Sequence, residues 1–259
     1  MYWFKPFIGS ATCLFCFLRK PILIVFATLA VAGLLITQEA APPECLPDAI
    51  VTFAFDDGYE SVFTRAYPIL KEYSYPATVF AIADKVGERG YMSTEMLNIL
   101  YRDYWEIGSH SVTHPDLTLL AESAVRFELS TSKEFFEERG FSVTSFAVPF
   151  GEHNEKVLSL IAEYYDFHRT AYPDGLNDIP LAEENRYLLK TVMVKADTTV
   201  QEVKDWVLRA KEENSWLILT FHRIDESGEY SWTSEDFREI VSFVNLNGFL
   251  PVTLCTNMN

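Results

Sequence analysis

The chain has 259 residues, 49% of them apolar, with 21 Lys and Arg against 37 Asp and Glu, a formal charge of −16. Residues 1–38 hold Lys5, Arg19 and Lys20 and no acid, so the remainder sets 18 basic residues against 37 acidic ones, a charge of −19. A body this acidic repels nucleic acid phosphates and anionic lipid, which argues against electrostatic binding to either.

Taken in chain order, the first feature is the uncharged run 21–38, almost wholly apolar from Ile22 to Ile36. A spanning helix takes roughly 17–25 such residues, so the run reads as a short transmembrane anchor after a cytoplasmic segment 1–20. Arg19 and Lys20 directly before it favour export of the body. A cleaved signal segment, which would make the protein secreted, is the rival reading. It lacks a good small-x-small site, because Gln38-Glu39-Ala40 and Glu39-Ala40-Ala41 both begin poorly. Residues 39–48, which include Ala41-Pro42-Pro43-Glu44-Cys45-Leu46-Pro47, read as an extended linker. Cys13 and Cys16 form a CxxC with no further ligand nearby, a weak metal signal. Cys45 and Cys255 flank the body and are candidates to pair if it is exported.

Within 49–259, apolar β-branched and aromatic runs alternate with stretches of helical period. The predicted strands cover 50–55, 77–82, 105–109, 145–148, 165–169, 188–195, 216–221 and 251–254. The predicted helices cover 61–73, 94–103, 119–139, 153–163, 199–214 and 233–246. This alternation predicts one α/β domain with a parallel sheet, and seven or eight β/α units suit a barrel better than a doubly wound sheet. In such barrels chemistry gathers at the carboxyl ends of the strands. Those ends carry Asp56-Asp57, His110, Pro149-Phe150, Arg169, Asp197 and His222.

Two adjacent carboxylates after a buried strand repel each other unless a cation or proton relieves them. Asp56-Asp57-Gly58 alone also suits a plain turn. His110 and His114, four apart in Ser109-His110-Ser111-Val112-Thr113-His114-Pro115, have the spacing of two ligands on one helical turn. One Asp and two His make the His₂-carboxylate set of catalytic zinc, which also suits Co²⁺, Fe²⁺ or Mn²⁺. His222 closes the apolar strand 216–221, the place for a general acid.

These residues resemble the polysaccharide deacetylase family, whose shared unit is the NodB homology domain. The resemblance runs from Ile50 to Leu254 and rests on the Asp-Asp pair, the HxxxH and Leu219-Thr220-Phe221-His222, in that order. It implies a distorted (β/α)₇₋₈ barrel of the NodB type. It implies Asp56 as general base, a divalent metal held by Asp57, His110 and His114, and His222 as general acid. Leu219 would belong to the acetyl pocket, with Pro149 and Phe150 beside the substrate and the Phe150 N–H meeting the oxyanion.

Two departures stand out. Where the family's third signature begins with Arg, the segment Phe146-Ala147-Val148-Pro149-Phe150-Gly151 has Ala147, so Arg169 is the candidate to steady Asp56. The fourth signature, an Asp-rich DW segment, is altered as well. Asp205-Trp206 falls inside a predicted helix, and Asp197 is better placed to orient His222, although Thr198-Thr199-Val200-Gln201 reads as a capping box that Asp197 serves. Tyr59, Phe150, Tyr172 and Trp232 are candidates to stack on sugar rings.

The expected function is a metal-dependent hydrolase removing N-acetyl groups from an envelope or extracellular N-acetylated glycan, with its body outside the cytoplasm. The alternatives are hydrolysis of another carbon–nitrogen amide, such as the formyl group of a lipid-linked sugar, and a catalytically silent glycan-binding barrel.

Overall fold

The computed structural model describes residues 49–225 and 228–256. The anchor or signal run 21–38, its flank 1–20, the linker 39–48 and Cys13, Cys16 and Cys45 lie outside the described residues. Among those described, no helix is long and apolar enough to cross a membrane.

Seven parallel strands form the body: β1 (Ile50–Phe55), β2 (Thr78–Ala81), β3 (Glu106–Ser109), β4 (Ser145–Ala147), β5 (Phe167–Arg169), β6 (Val192–Met193) and β7 (Trp216–Phe221). Their order is β5-β4-β3-β2-β1-β7-β6. A small two-stranded piece follows, β8 (Arg223–Ile224) with β9 (Ser231–Trp232), and β10 (Leu250–Pro251) pairs with the start of β1. The helices are α1 (Tyr67–Glu72), which continues a π-turn over Val62–Ala66, then α2 (Thr94–Arg102), α3 (Glu122–Glu137), α4 (Glu155–Ile161), α5 (Val200–Glu212) and α6 (Ser234–Leu246). The starts of α2, α4, α5 and α6 are marked by side-chain caps from Ser93, Asn154, Thr199 and Thr233. Each satisfies a backbone N–H that the first helical turn leaves open.

The expected barrel takes the form of a curled parallel half-barrel. Among the described residues its two edges meet through one parallel bridge, Arg169 with Leu189. The strand predicted over 188–195 shrinks to Val192–Met193 for a local reason. Asn177 takes both backbone groups of Lys190, accepting its N–H at 2.9 Å and donating to its carbonyl at 2.9 Å. A side chain thus occupies the hydrogen bonds a ladder would use.

Strand alternation builds two apolar layers. Val51, Phe53 and Phe55 of β1 and Leu217, Leu219 and Phe221 of β7 pack on the helix side. Ile50 and Ala54, with Phe80, Ala147, Leu189, Trp216 and Ile218, fill the concave side, which Val252 and Leu254 close from below. Gly108 is required in this layer, because a Cβ there would sit 2.6 Å from the Phe80 ring.

The floor carries one buried acid, Glu106. It accepts hydrogen bonds from Thr78 Oγ1 at 3.0 Å, from the Ser145 hydroxyl and from the Cys255 N–H at 2.8 Å. Burial pushes its pKa up, and these donors offset only part of that. A raised folded-state pKa means the stability it contributes is present below the ordinary value near 4.5 and lost as pH rises through the folded value. Glu106→Gln should therefore gain on wild type as pH rises from about 4 to about 8. Urea unfolding at several pH values checks this, and a constant difference would contradict it. Cys255 is half-buried and forms no disulfide among the described residues, and burial raises its thiol to about 11.

Candidate active site

The carboxyl ends of β1, β3, β4, β5 and β7 converge on one cavity of about 220 Å³. Asp56, Asp57, His110, His114 and His222 form its polar side, and Val148, Phe150, Ala171, Tyr172, Met193 and Tyr230 its apolar wall. Tight turns hold the polar groups. Asp57, Ser111, His114 and Phe150 all have positive φ, between 60 and 68°. Such backbone costs about 1–3 kcal/mol at a non-glycine residue and persists where the surroundings over-determine it. Gly151, next to Phe150, also has positive φ, and a Cβ on it would meet Ala171 Cβ at 2.3 Å.

Asp57, His110 and His114 each offer a ligand atom within 4.8 Å of the others. His110 Nδ1 lies 2.7 Å from the Ala147 carbonyl, which can only accept, so Nδ1 carries the proton and Nε2 keeps its lone pair. That Nε2 stands 3.2 Å from His114 Nε2 and 3.5 Å from Asp57 Oδ1, with His114 Nε2 3.6 Å from the same oxygen. Two nitrogens sharing one tetrahedral ion at roughly 2.0–2.1 Å are about 3.3 Å apart, so the donors fit a divalent metal. The electrostatics agree. Burial and the Asp56 charge raise Asp57 to about 7, while burial lowers His110 to about 3 and holds His114 below the ordinary imidazole range. A second positive charge among them would relieve the carboxylates and use neutral imidazoles as they stand.

Asp56 behaves differently from its neighbour. Burial alone would raise it, but Arg169, with His110 and His222, more than offsets this and holds it below the usual carboxylate range. Arg169 Nη2 donates to both Asp56 oxygens at 2.7 Å, with both side chains almost wholly enclosed. Arg169 is the direct cross-strand partner of Ala147 in the β4–β5 ladder. The cation missing from one strand is thus supplied at the same level by the next.

Other candidates separate. Phe150, 60% exposed, and Tyr172, 50% exposed, stand at the rim, with the Phe150 ring 4.6 Å from that of His114. Pro149 is buried beneath this turn. Leu219 points to the helix-side core and does not line the cavity, because it lies one residue out of phase with Thr220 and His222 on β7. Asp197 is exposed, and the capping box belongs to Thr199 and Glu202, one residue later than predicted. His222 Nδ1 is buried with no hydrogen-bond partner among the described residues, so Asp197 does not orient it. Burial holds the pKa of His222 below the ordinary imidazole value. Trp232 is core, donating its indole N–H to Thr198 O at 3.0 Å, and Tyr59 stacks on Tyr91. The cavity residues Met193, Ala171 and Tyr230 had no sequence signal, since none of them belongs to a motif.

The site is thus a pair of carboxylates with imidazoles, gathered at the strand ends of a curled parallel sheet. The polysaccharide deacetylase family model matches residues 44–166. A Bacillus subtilis (strain 168) protein carrying a polysaccharide deacetylase name, YxkH, is 29% identical over 167 residues, 63% of this chain and 56% of that protein. A poly-β-1,6-N-acetyl-D-glucosamine N-deacetylase of Staphylococcus aureus (strain MSSA476) is 26% identical over 182 residues, covering 62% and 59%. The match thus spans just over half the length of these relatives. The fold is shared with the Xyl-CE4 domain of a multidomain xylanase from the hindgut metagenome of Trinervitermes trinervoides, at TM-score 0.57 and 20% identity over 79% of this chain and 87% of that one. The matched family model, these relatives and the shared fold agree with the resemblance that the motifs carry.

Proposed function

We propose that the protein is a metal-dependent N-deacetylase acting on an N-acetylated sugar or polysaccharide. The observation that carries this is the division of labour between the two adjacent carboxylates. Asp57 converges with two neutral imidazoles on a cation position, while Asp56 is held apart and ionised by Arg169. A divalent ion on Asp57, His110 and His114, zinc in the first instance with Co²⁺, Fe²⁺ or Mn²⁺ as alternatives, supplies Lewis acidity toward the amide carbonyl and acidifies water.

Asp56 lines the cavity beside that position and, as an ionised carboxylate, accepts the proton of the attacking water. His222, which directly follows β7 and lines the same cavity, gives a proton to the departing amine. The Phe150 turn presents backbone to the carbonyl oxygen. The cavity is smaller than the roughly 300–1,000 Å³ of pockets that enclose a whole ligand. That size suits entry of one acyl substituent, with the sugar ring resting on Phe150, Tyr172 and Tyr230. The reading of 21–38 as the segment that exports and tethers the body, or is cleaved from it, rests on its apolar run and on Arg19 and Lys20 before it.

A second reading keeps the chemistry and changes the acyl group. It is favoured by Leu219, the expected acetyl-pocket residue, being turned away into the helix-side core. The silent-barrel reading loses its main support, since Arg169 supplies the cation whose absence suggested it.

The test is release of acetate, and separately formate, from matched N-acyl glucosamine oligomers, before and after chelation. Acetate release that stops on chelation and returns with Zn²⁺ or Co²⁺ is the expected result. Metal bound at one equivalent with no acetate released would remove the acetyl reading, and formate release would establish the second.

A further inference from the structure

We infer that Glu128 of α3 is a positioning residue for the metal-ligand loop, an inference that rests on the metal reading above. Glu128 is buried, and its carboxylate is spent on that loop. Oε2 accepts the backbone N–H of Val112 at 2.8 Å and of Thr113 at 3.0 Å, and Oε1 accepts the Thr113 hydroxyl at 2.7 Å. Val112 and Thr113 lie between the two imidazole ligands, so two of these bonds act on the backbone that sets their separation and the third holds the Thr113 side chain beside it.

The loop needs such support because its geometry is unfavourable in isolation. Ser111 and His114 both have positive φ, 65 and 61°, in residues with full side chains. Within the loop, the local stabilising bond is from the His114 N–H to Ser111 Oγ, at 2.9 Å. The carbonyls of Ser111 and Val112 are taken by the N–H groups of Ala83 and Asp84, each at 3.1 Å. Glu128 takes the N–H groups on the other side, which completes a two-sided grip. His110 is oriented separately through the Ala147 carbonyl. Loss of Glu128 therefore shifts His114 relative to His110 and Asp57, and outer partners of this kind typically tune metal affinity about 10- to 100-fold.

The probe is Zn²⁺ affinity of the full chain by competition with a chromophoric chelator, with the Co²⁺ absorption spectrum as a report on ligand geometry. Glu128→Ala should weaken Zn²⁺ about 10- to 100-fold and change the Co²⁺ bands. Glu128→Gln, which keeps an acceptor for the two N–H groups, should bind within a few-fold of wild type. Saturating metal should restore kcat in Glu128→Ala with KM for the glycan unchanged, which a general loss of structure would not permit. If that variant does not fold, Thr113→Val, which removes the hydroxyl bond alone, should still weaken Zn²⁺ several-fold. A folded Glu128→Ala chain that binds Zn²⁺ as tightly as wild type, or an unaltered Thr113→Val, overturns the role of Glu128 alone. A wild-type chain that binds no divalent ion overturns this inference together with the metal reading.

Discussion

Replacing Asp56 by Asn should lower kcat for glycan deacetylation by about 10²–10⁴-fold while leaving metal binding in place. Asn has nearly the same shape, and its carbonyl oxygen still accepts from Arg169, so the local structure is largely kept. What it lacks is the basicity to take a proton. Asp56 is suited to that task because Arg169 keeps it ionised inside an enclosed site, where burial by itself would favour the protonated acid. Initial rates of acetate release, read beside zinc content per chain, check the prediction. An Asn variant with bound zinc and a rate within tenfold of wild type would show that the base lies elsewhere.

Arg169→Ala should be costly in both stability and activity. It leaves Asp56 buried with its main counter-charge gone, and breaking a buried pair from one side costs about 3–5 kcal/mol. The folded-state pKa of Asp56 is lowered, so the pair's contribution is present above the ordinary carboxylate value near 3.8 and lost as pH falls through the folded value. The stability gap between wild type and Arg169→Ala should therefore be full at pH 7 and shrink in acid. Because residues 147 and 169 are paired neighbours whose side chains both belong to the concave side, Ala147→Arg combined with Arg169→Ala should recover part of the loss. Urea unfolding and kcat on the single and double variants decide it. A single variant as stable as wild type, or a double variant no better than the single, would show that the pair does not carry this weight.

Asp56, Asp57 and His110, which the structure gathers with His114 at one cavity, were legible because they follow apolar runs, where strand alternation and chain direction predict emergence at one rim, and His114 was legible from its four-residue spacing to His110. Arg169 was legible only as a need, an absent cation in the Phe146–Gly151 segment with a nearby arginine able to fill it. Its pairing with Asp56 depends on register across β4 and β5. Asp197 illustrates the opposite case. It follows the predicted strand closely enough to suggest a partner for His222, yet the chain turns outward at Lys195–Thr198 to start α5, and the side chain ends in solvent. Leu219 is turned from the cavity for a simpler reason, since it lies three positions before His222 and an odd step along a strand reverses the face. Glu128 carried no signal at all, because an acid on an amphipathic helix looks solvated until the loop it faces is known.

The order of apolar runs and turns in this chain determined the α/β class, the strand ends where chemistry gathers and the donor types available there, because those depend on local period and residue chemistry. Tertiary structure alone decided how far the sheet closes, which wall completes the cavity and which cation stands on Asp56. Those features depend on strand register and on contacts between residues more than a hundred positions apart, as Asp56 and Arg169 are, and no local pattern encodes such a distance.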